Sequence, residues 1–346
     1  MNKKRKILLS LIITVLAAVL VGIGIFAFVF LKPNVSLSQD NDTFVYIYPN
    51  YSVNQVVTQI NKVAKLKNQA TFNFVAKTLK YTDGKVRAGR YAISDGMSNI
   101  TLVRELRNGQ QMPVNLTFNN IRTKEQLAAR LAEQLIADSL TIITLLNDTN
   151  YLKPLGLTPE TAVTLFIPNT YQMYWTTDAH ALFKRMEKEY HKFWNERRLE
   201  KAKQILFSPQ EVATLASIVE EETNFKPERP TVAGLYINRL RQHIKLQADP
   251  TVKFANADFK SKRVLNSHLA VQSPYNTYQV FGLPPGPIRV ASPNGIDAVL
   301  NYEHHNYLFM CAKETFDGTH NFTASYAEHQ QNARRYQQAL DQRNIK

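Results

Sequence analysis

Three consecutive carboxylates, Glu220, Glu221 and Glu222, followed by Thr223, close a segment that reads as a helix. Its start is marked by Ser208 at the N-cap, Pro209 at the first helical position and Glu211 three residues after the cap, a capping box with Pro where the missing N–H costs nothing. Val212, Leu215, Ala216 and Val219 then recur at helical spacing and give one apolar face. At 100° per residue Glu221 points away from that face and is expected in solvent, whereas Glu220 and Glu222 fall at its two flanks. A carboxyl at such a flank is partly desolvated and holds its proton closer to neutrality, which is what a general acid needs. Periodicity removes Glu221 and leaves Glu220 and Glu222 equal.

Other residues downstream add to this chemistry. Asp249 stands before Pro250, a position biased to extended backbone, so its carboxylate is expected on a loop. The stretch Ser273 to Val280, SPYNTYQV, runs into FGLPPGPI, a stiff loop with little ordering entropy left to lose on binding. Tyr275, Asn276, Thr277 and Tyr278 offer what carbohydrate recognition uses: flat rings for the apolar faces of a sugar, and hydroxyls and an amide for its OH groups. The eight His include no HExxH and no cluster at ligand spacing, so neither metal nor cofactor is expected. His320 reads as a turn residue. The single cysteine, Cys311, lies in an apolar strand-like stretch and reads as packing.

The elements that must hold these groups are legible in part. Ile7 to Leu31 holds no charge and follows Lys3, Lys4, Arg5 and Lys6, which predicts an uncleaved membrane anchor with the N-terminus in the cytoplasm and the rest outside. Of a net charge of +14, four positive charges precede the span, and the remaining basic part suits an anionic polymer or membrane surface. No nucleic-acid motif is present, and export argues against that class. Residues 33 to about 42 read as a tether. A compact α+β module follows: a strand in TFVYIYP, a helix from the Ser52–Gln55 capping box, a helix over 69–80, a strand over 88–94, and a helix from Ser98 to Arg107 ended by Gly109. Beyond it come a strand at 113–118, a third capping box at Thr123–Gln126, and one helical run from about Ala179 to Leu199 with Tyr190, Phe193 and Trp194 as core. Last are a helix over Pro230–Leu240, with Tyr236 facing the core, a strand at Tyr307 and a helix holding His329.

The blocks EEETNF, VAGLYINRL, LQADPTV, SPYNTY, GLPPGPI and DGTHNF, in this order, resemble the endolytic murein transglycosylases, the MltG or YceG-like family. The resemblance runs from the anchor to the C-terminus and is weak between about 33 and 205, where Asn169 stands in place of the family's usual Asp. It implies an α+β chain with a stub and single transmembrane helix over 1–32, a small LysM-like module over 33–112, and a larger mixed α/β catalytic domain with a cleft over 113–346. The family's Glu-x-Glu-Thr pattern falls on Glu220, Glu222 and Thr223, which makes Glu222 the catalytic acid. Glu220, Asn238, Gln247, Asp249 and Tyr275 to Tyr278 (with Asn276 and Thr277) would then bind sugars or orient it. The implied partners are peptidoglycan glycan strands, the membrane of a bacterial cell and cell-wall synthases, with no cofactor. The implied role is to cut nascent strands and limit their length. A lysozyme-type hydrolase pairing Glu222 with Asp249, and a wall-binding scaffold without activity, are the competing readings.

Overall fold

The computed structural model describes residues 3–37, 43–261 and 264–343. The first helix, α1 (Lys3–Phe26), continues through a π-helical turn, Ala27–Leu31. Together they form a run with a mean hydropathy of 2.9 and no buried residue in its most apolar window, long and apolar enough to cross a membrane.

The chain divides into two compact units. The first holds Met1–Asn115 together with Gln172–Thr177. It contains β1 (Val35–Ser36), β2 (Thr43–Ile47), α2 (Val53–Val63), β3 (Lys65–Leu66), α3 (Gln69–Thr78), β4 (Gly89–Ile93) and α4 (Asn99–Asn108). Strand β2 pairs antiparallel with β4, Val45 opposite Tyr91. Alternation buries Val45 and Ile47 and turns Tyr46 outward. Both halves of the Ser52–Gln55 capping box are formed. Gly109 ends α4 at φ 71°, the left-handed conformation that glycine adopts without steric cost. The expected tether is only partly so. Residues 38–42 lie outside the described residues, but Val35 is fully buried and β1 pairs with β3, because the apolar Val35 and Leu66 face each other in the core.

The second unit holds Leu116–Tyr171 and Asp178–Lys346. At the point where the chain enters it, β5 (Val114–Thr117) pairs with β6 (Thr170–Met173). Between these strands lie α5 (Lys124–Ala132), α6 (Ser139–Asn147) and α7 (Thr149–Leu152). Thr123 caps α5, but Gln126 reaches back to the Arg122 N–H and not to the cap's own, so the third capping box is half made. The single run expected over 179–199 is two helices, α8 (Ala179–Phe193) and α9 (Glu196–Gln204). Asn195 breaks it by accepting the Arg198 N–H as a new N-cap. Tyr190 and Trp194 are buried, while Phe193 is half-buried beneath the Arg198 guanidinium.

Helix α10 (Pro209–Glu222) is the centre of this unit, with its capping box complete. It is buried all round from Val212 to Glu220 and not on one face. The polar residues at its back are small and bond locally: Thr214 Oγ1 donates to Gln210 O at 2.8 Å, and Ser217 Oγ donates to Thr214 O at 2.7 Å while accepting the Ile288 N–H at 3.0 Å. Burial therefore leaves none of these groups unpaired. Around it pack α11 (Arg229–Arg241), α12 (Asp249–Ala255) and α14 (Pro293–Leu300), with the short α13 (Asn266–Leu269) beside α12. The chain ends in the antiparallel hairpin of β7 (Phe309–Ala312) and β8 (His320–Thr323) and the helix α15 (Tyr326–Gln342).

Candidate active site

The last turn of α10 sends its three carboxylates to three different environments. Glu220 is buried, 4% exposed. Its carboxylate accepts from Arg229 Nη1 at 2.9 Å, from the Ser292 backbone N–H at 3.0 Å and from Ser292 Oγ. Glu221 is not solvated as its helical angle suggested. It bridges Arg122 Nη2 and Arg289 Nη1, both at 2.8 Å, because segments remote in sequence bring two guanidinium groups over that side of the helix. Glu222, at the last helical position, borders a pocket of about 380 Å³.

In that pocket Glu222 is half-buried. Tyr236, about two turns into α11 on its core side and 2% exposed, donates its hydroxyl to Glu222 Oε1 at 2.6 Å. Burial pushes the Glu222 carboxyl up from 4.5 to about 7; the Tyr236 hydrogen bond opposes this, the nearby Asp249 charge adds to it, and Lys253 and Arg239 oppose it. A proton donor that is half charged near neutrality is the electrostatic requirement of general acid–base catalysis.

Four other residues expected at the site, Gln247, Asp249, Tyr278 and their neighbour Thr277, form one hydrogen-bonded group. Asp249 does not lie on an extended loop. It is the first residue of α12, where Pro250 at the second position needs no N–H partner, and its exposed carboxylate accepts the Tyr278 hydroxyl at 2.7 Å. Gln247 holds a left-handed backbone, φ 52°, with its N–H on Thr277 O at 3.1 Å. Thr277 is fully buried and ties Ala248 N and Thr251 Oγ1 together, at 3.0 and 2.8 Å. Of these, Gln247, Asp249 and Tyr278 border the pocket.

The remaining expected residues stand outside it. Asn276 is fully buried, and its amide donates to Leu269 O and Val271 O, both at 2.9 Å, so it shapes the loop that presents Tyr278. Tyr275 packs on Phe254, ring centres 4.8 Å apart. Asn238 donates to His305 O at 2.7 Å and to Tyr307 O at 3.2 Å, fixing the approach to β7. Asn169 is exposed, and its side-chain oxygen accepts the N–H of its neighbour Thr170.

Sequence reasoning does not find the other residues that border the pocket, Tyr236 and Arg239 foremost. Tyr236 reads as one more apolar contact in a helical stripe, and nothing in its spacing tells a core ring from one whose hydroxyl meets a carboxyl. Arg239 is 7% exposed and donates to Leu308 O at 2.6 Å, Leu246 O at 2.9 Å and Gln247 Oε1 at 3.1 Å. An Arg buried at an otherwise apolar helical position was the available signal, since such a charge persists only when fully hydrogen-bonded. The rest of the pocket comes from Leu235, Leu246, Phe309 to Ala312, His320 and His329, so Cys311 lies at its edge, where burial raises its thiol above the ordinary value.

The arrangement compares with known proteins as follows. The model of the YceG-like family matches residues 45–335. The endolytic murein transglycosylase of Bacillus subtilis (strain 168) is 28% identical over 301 residues, which cover 82% of each protein. The protein of the same name from Streptococcus pneumoniae (strain D39) is 25% identical over 316 residues; the match takes in 81% of this chain but 56% of that protein, so the chain spans about half of it. The crystal structure of a yceG-like protein from Listeria monocytogenes is similar at a TM-score of 0.58 and 26% identity, covering 85% of this chain and 99% of that one. With most of its length inside the family match, and with the acid-bearing helix and its pocket within it, the chain belongs to the YceG-like family.

Proposed function

We propose that this protein is an endolytic murein lytic transglycosylase, a carbon–oxygen lyase that cuts the glycan strands of peptidoglycan between N-acetylmuramic acid and N-acetylglucosamine. The observation that supports it most is Glu222: a half-buried carboxyl raised to about 7, bonded to Tyr236 and facing a pocket edged by Tyr278, Gln247 and Asp249. Protonated Glu222 gives its proton to the glycosidic oxygen. The C1–O bond breaks, N-acetylglucosamine leaves with its hydroxyl, and positive charge builds on the muramyl ring. The Glu222 carboxylate then takes the proton of the muramyl C6 hydroxyl as its oxygen closes on C1. The product is a 1,6-anhydro end, and Glu222 is protonated again without any water consumed. Because the nucleophile is part of the substrate, its effective concentration is high and no second carboxylate has to hold a water. The chemistry calls on no metal or cofactor.

In this reading the apolar N-terminal helix anchors the chain in the bacterial cytoplasmic membrane as a single pass, N-terminus inside, with residues 113–346 as the catalytic domain outside. The succession of β2, α2, α3 and β4, with only the two-residue β3 between the helices, suits a LysM-like module over 33–112, and a membrane-tethered endolytic enzyme suits the trimming of nascent strands beside the synthases. Mass spectrometry of peptidoglycan digested by the purified chain tests the reaction: strands ending in anhydro-muramyl residues are expected, and reducing ends alone refute it. Reducing ends would favour the hydrolase in which Asp249 directs a water, since Asp249 borders the same pocket and its charge reaches Glu222. In that case Asp249→Asn would be nearly as damaging as loss of Glu222.

Tyr236→Phe gives a second test. The hydroxyl stabilises the charged form of Glu222, so its removal lifts the acid further above 7 and leaves the carboxyl less firmly aimed. The alkaline limb of kcat/KM should move to higher pH while the plateau drops about tenfold, the worth of one hydrogen bond to a charged group. An unshifted limb would show that Tyr236 does not govern the acid.

A further inference from the structure

We propose that His320 binds the sugar seated against Glu222, with Glu228 as the residue that positions it; the assignment rests on the glycan-cleaving reading above. Glu228 lies in the single 3-10 turn, Lys226–Glu228, that joins the acid-bearing helix to α11, and it is buried, 8% exposed. It grips His320 twice. One carboxylate oxygen accepts the His320 backbone N–H at 2.7 Å and the other meets the imidazole Nδ1 at 2.9 Å. A carboxylate only accepts hydrogen bonds, so Nδ1 carries the proton and the ring is fixed in orientation. That leaves Nε2 as the one ring atom for a ligand, on a residue that borders the same pocket as Glu222.

The pocket gives such an atom a use. It already holds two carboxylates, Glu222 and Asp249, and a third anionic acceptor would repel both. An imidazole nitrogen bonds a sugar hydroxyl or acetamido group, as acceptor or as donor, without adding negative charge. A second imidazole lies alongside: His329 borders the pocket, stacks on Phe309 at 5.4 Å, and its buried Nδ1 has no hydrogen-bond partner among the described residues. The chemistry assigned to Glu222 uses neither histidine.

Two substitutions separate the ligand-facing atom from the grip on Glu228. In His320→Asn the side-chain amide reaches the place of Nδ1, keeping the Glu228 bond and losing Nε2. In His320→Gln the amide reaches the place of Nε2 and loses the bond. The full-length chain in detergent is used, with binding of purified uncrosslinked glycan strands measured in the Glu222→Gln background and KM and kcat measured with Glu222 intact. His320→Asn should weaken binding and raise KM about tenfold at an unchanged melting temperature, and His320→Gln, which keeps a ligand-facing amide without its Glu228 grip, should weaken binding less than His320→Asn does. The reverse pattern, with Asn harmless and Gln lowering the melting temperature, overturns the assignment and makes His320 a pin for the hairpin only. A Glu222→Gln chain that binds no glycan with His320 intact overturns the glycan reading itself, whereas binding that ignores His320→Asn overturns only the role of His320.

Discussion

Glu222→Gln should lower strand cleavage about a thousandfold or more, with the fold intact and glycan still bound. The amide is the same size, and its oxygen can still accept the Tyr236 hydroxyl that sits 2.6 Å from Glu222. What it cannot do is give a proton to the glycosidic oxygen or take one back, and proton transfer of this kind is worth about 10²–10⁴-fold at each step it serves. The same variant should be more stable than the parent, in a pH-dependent way. Glu222 has its pKa raised in the folded chain, so between 4.5 and about 7 the native state binds more protons than the unfolded chain, and the parent loses stability as pH rises through that window. Above it the penalty is constant at roughly 2–3 kcal/mol, given a shift of this size on a half-buried group. Unfolding measured across pH 4 to 8 should therefore show the variant level with the parent at the acid end and ahead of it at the alkaline end. Equal stability throughout would mean that the carboxyl is not held in a desolvated place, and residual activity above one per cent would move the acid to another residue.

The parts of this site legible in the sequence are those that depend on local rules. Ser208, Pro209 and Glu211 state where the acid-bearing helix begins, and the structure places all three as a capping box. The resemblance of six short blocks pointed to Glu222 among its neighbours, and periodicity alone did not, because Glu220 and Glu222 sit symmetrically about the expected apolar face. Their difference comes from partners far along the chain: Arg229 and Ser292 for Glu220, Tyr236 for Glu222. Glu221 went astray for the same reason, since nothing near it announces Arg122 and Arg289. The SPYNTY loop shows the other limit. Composition marks Asn276 and Thr277 as polar groups offered to a ligand, yet both are fully buried and bonded to the chain itself. A polar side chain in a turn-rich segment serves its own backbone first, and what it leaves over for a ligand is settled only by tertiary contacts.

Glu220 should behave in the opposite way to Glu222, although the two stand two residues apart. Its side chain is almost wholly removed from water and paired with Arg229, itself buried, at 2.9 Å. Neutralising one partner of such a pair leaves the other as an uncompensated buried charge, which costs about 3–5 kcal/mol. Arg229 would keep Asn294 Oδ1 at 2.9 Å and a long contact to Thr223 O, neither of which supplies a negative charge. The start of α14 would also loosen, since Ser292, its N-cap, anchors both its N–H and its hydroxyl on Glu220. Glu220→Gln should thus lower the melting temperature of this unit by about 10 °C. Gly295→Ala should destabilise it too, because a Cβ there would stand 2.6 Å from the Glu220 carboxyl carbon, and a carboxyl held by Arg229 and Ser292 has nowhere to move. If Glu220 instead met the glycan directly, Glu220→Gln would weaken glycan binding at an unchanged melting temperature. The two outcomes separate a residue that holds the last turn of α10 in place from one that touches the sugar, and the buried ties of Glu220 to Arg229 and Ser292 favour the first: helix α10 needs a rigid last turn if Glu222 is to return to the same place after each proton it gives away.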